Sequence, residues 1–384
     1  MDFEFTKEQM MFRDMAKEFA EREIAPSARE RDREERFFPE IMKKMADQGF
    51  FAIMVPQEMG GLGLDWMTMG LVAEQLATVD FSVGLTFFIQ TSLEIMPMLL
   101  AGTEEQKKKY IPDLMMGKKI GCLAAVEPNA GSDATAVETT ALLDGDQWIL
   151  NGNKTWITNA TVSDYCVVLV QTDKSKGTKG IATFIVEKGT LGYSSSKISH
   201  KLGCRSSDTG QLFFRDCRIP KSNILGAVGA GMKTALTCIE HTRFGISCLA
   251  AGVTQACIDA SIRYAQERKQ FGKSIGSFQL IQEQIAEMTV GYETSKLLSY
   301  RVAWMKDKGM SCTRETGIAK YNNMDVVMKA TRAAIEIHGA YSLTDDFNIE
   351  RFYRDMTGPL IFGGTSNVQR LVIGRFALGL DAFR

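Results

Sequence analysis

Residues 139–158 read TTALLDGDQWILNGNKTWIT, and this stretch decides the fold. Its short β-branched and aromatic runs are separated by Asp144-Gly145 and Asn151-Gly152, dipeptides that favour tight hairpin turns. The pattern predicts that TTALL pairs with QWIL and that QWIL pairs with KTWIT. Because further short strands are predicted at 166–171, 181–186 and 211–214, the middle of the chain is expected to form an antiparallel, barrel-like or sandwich domain.

The chain on both sides of this segment has a helical pattern. Near the N-terminus, Thr6 and Gln9 have the spacing of a capping box, and Pro26 is predicted to end the apolar-periodic run that follows. Towards the C-terminus, no proline lies between Pro220 and Pro359. Four long apolar-periodic runs there predict a four-helix bundle, at 231–268, 278–307, 313–338 and 366–379.

The predicted fold class is therefore α+β, mostly α, in three domains. An N-terminal helical domain is expected over 1–120, a β domain over 121–227 and a C-terminal helical bundle over 228–384. A chain of 384 residues is long enough for two or three domains that share a large core.

Charge and composition exclude several classes of function. The net charge is -1, so no basic field attracts nucleic acid or anionic lipid, and neither is expected as a partner. The apolar stretch 81–100 is interrupted by Gln90, Thr91 and Glu94, which indicates a buried helix and no membrane insertion. No signal or transit pattern is recognised, and eight scattered cysteines indicate free thiols, so a cytoplasmic location is expected. Three histidines lie far apart, and no metal site is predicted.

The residues alone leave the function open between an enzyme and a binding protein. The glycines at 226, 229 and 231 do not follow the order of a dinucleotide-binding motif, and no catalytic triad or phosphate-binding loop is visible.

Six blocks of sequence resemble the acyl-CoA dehydrogenase family. They occur in the family's order and spacing over essentially the whole chain: AAVEPNAGSDATAVETTA (124–141), NGNKTWITNA (151–160), KLGCRSSDTGQLFFRDCRIPKSNILG (201–226), ERKQFGKSIGSFQLIQ (267–282), ERFYRD (350–355) and FGGTSNVQR (362–370). The resemblance implies the same three-domain architecture, FAD as cofactor, an acyl-CoA substrate and an electron-transfer flavoprotein as partner. It also implies a homo-oligomer, commonly a tetramer, because FAD is shared between subunits. Members that act on alicyclic acyl-CoA esters look like the nearest kin.

The resemblance also implies which residues bind the cofactor. Trp156 would lie against the isoalloxazine ring, and Thr158 would donate near flavin N5, which stabilises the reduced flavin as hydride arrives. Val126 stands where most members have Thr, so one hydroxyl contact to the flavin is missing. Arg268 suits the pyrophosphate because its planar guanidinium donates in pairs. The other positions implied are Ala125, Ser132, Gln270, Phe271, Gln279, Glu336, Gly339, Thr365 and Asn367.

The usual catalytic base is absent. The family's Tyr-Glu-Gly-Thr motif reads Phe362-Gly363-Gly364-Thr365 here, so Gly363 keeps only a backbone N–H with which to polarise the thioester carbonyl. A minority of members carry the Glu at the position of Thr242, whose hydroxyl has no suitable pKa. For substrate binding, the resemblance implies Ser132, Gln90, Thr91, Glu240 and Arg243.

Three explanations of the missing base remain open. Glu94, which shares a helix face with Gln90 and Thr91, is the candidate for a relocated base that acts on a short, branched or cyclic acyl group. Alternatively, the enzyme performs base-independent chemistry such as desulfination of a CoA ester, with Arg243 as the cation. In the third explanation, the chain binds FAD and acyl-CoA with little turnover. A non-enzymatic acyl-CoA-binding or electron-transfer protein is a further alternative.

Overall fold

The computed structural model describes residues 4–382. Its first helix, α1 (Lys7–Phe19), has the predicted capping box: Thr6 Oγ1 accepts from Gln9 N at 3.1 Å, and Gln9 Oε1 accepts from Thr6 N at 3.0 Å. Pro26 does not end this helical run. A π-helical turn (Ala20–Ile24) leads directly into α2 (Ala25–Arg33), where Pro26 lies in the first turn and needs no intrahelical N–H bond.

The other N-terminal helices pack around a buried apolar centre. They are α3 (Pro39–Asp47), α4 (Trp66–Ala77), α5 (Phe81–Ile89), α6 (Met96–Ala101) and α7 (Glu104–Met115). Residues Gln90–Ile95 form a π-helical segment between α5 and α6, so the predicted buried helix at 81–100 is present with a widened centre. We call Gln90–Ile95 the π segment.

The central sheet contains eight strands. These are β1 (Gly121–Ala124), β2 (Thr140–Asp144), β3 (Gln147–Thr158), β4 (Tyr165–Gln171), β5 (Ile181–Glu187), β6 (Tyr193–Lys197), β7 (Thr209–Pro220) and β8 (Ile224–Leu225). The order is β6-β7-β3-β2-β4-β5-β8, and β1 pairs with β4. Most pairings are antiparallel, as predicted, but β1–β4 and β2–β4 are parallel. In the described residues the sheet remains open between β6 and β8, so the predicted barrel-like or sandwich domain is present without closing into a barrel.

Only one of the two predicted hairpin turns forms. Asp144 pairs with Gln147 across a two-residue turn, whereas Asn151-Gly152 lies inside the continuous strand β3. β7 pairs with β3 on both sides of Gly152, so the chain runs straight on with a bulge. Gly152 has φ +148°, and any β-carbon there would collide with Thr139. This glycine therefore marks a close backbone contact and not a turn.

The C-terminal part contains the four predicted long helices at nearly the predicted bounds. They are α8 (Gly231–Glu267), α9 (Gln279–Asp307), α10 (Thr313–His338) and α12 (Ser366–Leu378). A short helix, α11 (Ile349–Thr357), precedes α12, and a small hairpin, β9 (Lys269–Gln270) and β10 (Lys273–Ser274), follows α8. One apolar core joins these helices to the N-terminal ones, while the sheet buries a second core of its own.

Two helical stretches are long and apolar enough by composition to cross a membrane. They are Phe81–Ala101 and Gly231–Glu267, and most of each is buried inside the fold. This burial is what core helices of a globular protein show. All eight cysteines are buried and unpaired, as predicted. Residues 4–382 contain no cluster of three His, Cys, Asp or Glu side chains that could hold a metal ion.

Candidate active site

The end of β3 presents an aromatic ring outward. The β3–β7 register shifts between Lys154 and Ile157, and Trp156 within this bulge has φ +58°. Bulges re-aim side chains, and a left-handed bulky residue is strained, so both features are typical of functional sites. The Trp156 indole is 61% exposed, whereas neighbouring Ile157 is buried in the sheet core. Thr158 follows at the strand end and is half-buried.

The turn after β1 is fixed by a buried ion pair that the sequence analysis missed. Lys154 Nζ lies 2.7 Å from Glu127 Oε1, and both side chains are almost fully buried. The Glu127 carboxylate also accepts from the N–H groups of Glu138 (2.6 Å) and Thr139 (2.9 Å). Burial raises the pKa of Glu127, but the Lys154 charge and these hydrogen bonds outweigh it and lower the pKa overall. The sequence signal for this pair was Lys154, a charged residue at a position of β3 whose side chain faces inward.

Two contacts hold Ala125 and Val126 beside the residues of β3 that precede Trp156. Lys154 Nζ lies 3.4 Å from the Ala125 carbonyl, and Thr155 N donates to the Val126 carbonyl at 3.0 Å. Ser132 is exposed farther along the same turn. The structure therefore brings the Ala125–Val126 backbone next to Lys154 and Thr155 of β3, directly before Trp156.

The π segment separates the N-terminal helices from the sheet. Gln90 Nε2 donates to the carbonyls of Leu114 (3.2 Å) and Lys119 (3.0 Å), while Gln90 Oε1 and Thr91 Oγ1 are buried without a hydrogen-bond partner. The Glu94 side chain is fully buried, and neither carboxyl oxygen has a partner. Burial raises the pKa of Glu94 well above its usual value. The carboxyl lies against the backbone of Gly121, at the start of β1.

The opposite side of the π segment touches the first helix of the bundle. Ser92 Oγ lies 3.0 Å from Thr242 Oγ1 on α8, and Thr242 also donates to the Cys238 carbonyl at 3.1 Å. Burial raises the pKa of the nearby Cys238 thiol, and the proximity of Glu94 adds to this effect. Thr242, the alternative base position that the resemblance implied, thus forms a buried hydroxyl pair with Ser92.

The loop Phe362–Gly364 is anchored by two cations. Arg243 Nε donates to the Gly363 carbonyl at 2.8 Å, and Lys320 Nζ donates to the carbonyls of Phe362 (3.2 Å) and Gly364 (2.6 Å). Lys320 was missed by the sequence analysis, although its place on the apolar seam of α10 was a signal. Burial, with a contribution from Arg243, lowers the pKa of Lys320 to about 7.

Glu240 is engaged by neighbouring helices. It accepts from Thr313 Oγ1 at 2.6 Å and lies 3.4 Å from Lys306 Nζ. Lys306 in turn lies 3.1 Å from Nδ1 of His241, whose pKa burial lowers to about 3, with a further contribution from Lys306. Thus the Glu240 carboxylate, which was predicted to bind substrate, already has Thr313 and Lys306 as protein partners.

A second group of predicted cofactor residues lies at the far end of α8. Arg268, Gln270, Phe271 and Gln279 are all exposed, with Phe271 at 93% and φ +52°. The Arg268 guanidinium lies 5.6 Å from the centroid of the Tyr341 ring. Tyr341 belongs to a short 3-10 helix that begins at Gly339. Glu336 pairs with Arg332 at 3.0 Å and accepts from Gln284. Over residues 4–382, no hydrogen bond, ion pair or ring contact joins this group to Trp156.

The last two predicted residues lie at the start of α12. Thr365 is its N-cap and accepts from Val368 N at 3.1 Å, and Asn367 Oδ1 accepts from Arg370 at 2.7 Å. Thr365 directly follows the Gly363-Gly364 loop, so its placement is fixed by the same anchored segment.

Comparison with known proteins assigns this arrangement to a family. Models of the N-terminal, middle and C-terminal domains of acyl-CoA dehydrogenase match residues 6–118, 122–217 and 229–378. The chain belongs to the acyl-CoA dehydrogenase family. It is 40% identical over 373 residues to the short-chain specific acyl-CoA dehydrogenase of Clostridium acetobutylicum, covering 97% of this chain and 98% of that protein.

A further relative and a solved structure carry names that state an activity or a cofactor. The chain is 39% identical over 375 residues to the caffeyl-CoA reductase-Etf complex subunit CarC of Acetobacterium woodii, covering 97% of this chain and 99% of that protein. The structure of a glutaryl-CoA dehydrogenase from Mycobacterium smegmatis in complex with FADH2 superposes with a TM-score of 0.95 at 29% identity, covering 99% and 97% of the two chains.

This acyl-CoA dehydrogenase uses FAD, and the residues present fit that cofactor. Trp156 offers an exposed indole face held by a strained backbone, and Thr158 lies two residues away. Arg268 offers an exposed guanidinium that has no ion-pair partner in the described part of the chain. When bound, FAD supplies the hydride acceptor and electron carrier.

Proposed function

We propose that this protein dehydrogenates a short, branched or cyclic acyl-CoA thioester, with hydride passing to flavin N5 and electrons passing on to an electron-transfer flavoprotein. The observation that carries the proposal is the left-handed, exposed Trp156 beside Thr158, on a turn fixed by the buried Glu127–Lys154 pair. The Etf complex in the name of the Acetobacterium woodii relative supports the electron acceptor.

The backbone N–H of Gly363 polarises the thioester carbonyl in this proposal. Lys320 holds the Phe362 carbonyl and Arg243 holds the Gly363 carbonyl. Because C=O and N–H of a trans peptide point in opposite directions, the N–H groups of Gly363 and Gly364 point away from these cations. In a site shielded from water, such a donor stabilises the developing enolate by several kcal/mol. Ser132 and the exposed part of Arg243 complete the binding of the substrate.

Glu94 is the proposed proton acceptor, since both usual positions are empty. Its carboxyl is buried and has no hydrogen-bond partner in the described residues, and burial raises its pKa in the direction that a general base requires. Ser92 of the same segment touches Thr242, so the segment borders the wall on which other family members carry a carboxylate. Thr91, also unpartnered, and Gln90 are proposed to line the acyl group.

A second candidate is base-independent chemistry on an acyl group that carries an anionic sulfur group. Arg243 supports it, because this guanidinium forms no ion pair within 4 Å in residues 4–382 and lies directly on Gly363. A bound sulfinate would supply the missing negative charge, and its departure needs no proton acceptor at Cα.

We further propose a homotetramer in the cytoplasm. Large apolar side chains are exposed along the outer faces of the bundle, including Phe271, Leu280 and Phe376. Burying such side chains against other subunits would stabilise an assembly and bring Arg268, Gln270 and Gln279 to a partner's FAD. Eight unpaired, buried thiols suit a reducing compartment.

The test is anaerobic flavin reduction. The purified protein should be yellow and should bleach with butyryl-CoA or a cyclic acyl-CoA, and added electron-transfer flavoprotein should restore the oxidised spectrum. A protein that binds no FAD after reconstitution contradicts the proposal. Sulfite release from a sulfinate-bearing CoA ester, without bleaching by saturated esters, favours the second candidate instead.

A further inference from the structure

Lys320 is a fully buried cation whose nitrogen binds only backbone. Its Nζ donates to the carbonyls of Phe362 and Gly364, on either side of Gly363. No carboxylate of residues 4–382 lies within 4 Å of this nitrogen, although buried lysines are usually paired. After burial, the further cause of its lowered pKa is Arg243, which is also a cation.

Burying an unpaired ammonium is costly, and its lowered pKa reflects that cost. An apolar side chain at this point of α10 would avoid it, as Ala319, Met324 and Val327 do on the same helix, and the buried polar residues Thr316, Asn323 and Thr331 carry no charge. A role in general stability therefore does not explain the charge. The two carbonyl bonds that Lys320 makes to the loop do explain it.

These bonds fix three consecutive peptide units. Lys320 holds the carbonyl of Phe362, Arg243 holds that of Gly363, and Lys320 with Gln369 Nε2 (3.1 Å) holds that of Gly364. Both glycines have positive φ, +67° and +86°, so a flexible pair is fixed in one conformation by side chains of the bundle. No recorded hydrogen bond within the described chain uses the N–H of Gly363 or Gly364, and planar peptides aim these groups away from the cations.

We propose that Lys320 is a positioning residue that aims and strengthens the N–H of Gly363 for the thioester carbonyl. Lys320 fixes the Phe362–Gly363 peptide plane through its carbonyl, and its charge polarises that peptide, which makes the N–H a stronger donor. The inference rests on the proposed function, because the thioester must be bound at this loop.

The experiment measures the thioester carbonyl stretch of [1-13C]crotonyl-CoA bound to the oxidised holoenzyme, by isotope-edited infrared difference spectroscopy. The variant is Lys320→Met, which keeps the side-chain length and removes the donor. The control is Thr331→Val, which deletes a buried hydroxyl on the same helix that binds only the Met328 carbonyl. FAD content and flavin reduction by butyryl-CoA are measured on the same samples.

In the wild type and in Thr331→Val, the bound carbonyl should absorb at lower wavenumber than free crotonyl-CoA. In Lys320→Met, at least about half of that shift should be lost and flavin reduction should slow by ~10-fold or more, with FAD content unchanged. An unchanged carbonyl shift in Lys320→Met overturns the inference, as does an equal loss in Thr331→Val. If Lys320→Met does not fold, Lys320→Gln decides: it retains a donor without the charge, and a full wild-type shift there overturns the polarising role. A wild-type enzyme that binds FAD but shifts no carbonyl overturns the proposed function itself.

Discussion

A β-carbon on residue 363 would lie 2.8 Å from Cδ1 of Ile246, so Gly363 is fitted to its neighbour on α8. Its φ of +67° also disfavours any other residue. The carboxylate that the resemblance leads us to expect here therefore cannot be introduced by a single substitution without strain. The structure around the loop has adapted to glycine.

Gly363→Glu should lower the stability of the protein by ~1–3 kcal/mol, from the left-handed backbone and the contact with Ile246. Adding Ile246→Val removes Cδ1 and should recover part of that loss, as measured by chemical denaturation. If no other base serves the reaction, the double variant should also reduce flavin with butyryl-CoA at least ~10²-fold faster than the wild type. An unchanged rate, with FAD and ligand bound, would mean that proton abstraction does not limit the wild-type enzyme.

Glu94→Gln tests the relocated base without altering the shape of the side chain. If Glu94 accepts the α-proton, anaerobic flavin reduction should slow by ~10²–10⁴-fold while FAD binding persists. The matched control is Glu105→Gln, the same change at an exposed position of α7 in the same domain. Equal reduction rates in the wild type and Glu94→Gln remove Glu94 as a base.

Glu94 should also make stability depend on pH. Its folded-state pKa is raised, so the folded protein binds more protons than the unfolded chain once pH exceeds about 4.5. Stability from this group is full below that value and is lost as pH rises towards the folded pKa. Thermal midpoints of Glu94→Gln should therefore fall less than wild-type midpoints between pH 5 and pH 8, and parallel curves would contradict a raised pKa of Glu94.

Glu127→Gln should disrupt the turn at the flavin face. It leaves the Lys154 ammonium buried without a counter-charge, which typically costs ~3–5 kcal/mol. FAD should bind more weakly, because the Ala125 and Val126 backbone depends on this pair. Asp144→Asn, which breaks the exposed ion pair with Arg218, is the matched control and should change stability by under ~1 kcal/mol. Titration with FAD, followed by flavin fluorescence, measures the FAD affinity of the wild type and of both variants. Equal affinity in all three proteins would refute the role of the pair.

The sequence predicted those elements whose physics is local. The long periodic helices α8, α9 and α10 have the predicted bounds, since an apolar stripe every three to four residues indicates a helix without knowledge of its partner. Asn151-Gly152 was misread as a turn, because only the partner strand β7 decides that β3 continues. Pro26 was misread as a helix end, since proline is equally suited to a first turn.

The candidate site was predictable only in part, for the same reason. Trp156 and Gly363 were found through their motifs, but the residues that fix them come from distant segments. Lys320 lies 43 residues before Gly363 and Glu127 lies 27 before Lys154, and nothing in the spacing of either pair indicates contact. Gln90 was predicted to face substrate, and its amide nitrogen also donates to the carbonyls of Leu114 and Lys119, contacts that no helical periodicity reveals.

Lys320 gives the wild-type protein a pH dependence that Lys320→Met should lack. The lysine pKa falls from 10.5 to about 7 on folding, so between these values the unfolded chain binds the extra proton. Stability from this group is full above pH 10.5 and is lost as pH falls towards 7, by at most about 5 kcal/mol over the whole window. Relative to Lys320→Met, the wild type should therefore gain stability from pH 7 to pH 9, by up to about 2–3 kcal/mol. Thermal midpoints of the wild type, Lys320→Met and Thr331→Val at pH 7, 8 and 9 measure this gain. If the difference in thermal midpoint between the wild type and Lys320→Met is the same at all three pH values, Lys320 keeps its ordinary pKa. In that case its carbonyl contacts do not hold a desolvated cation.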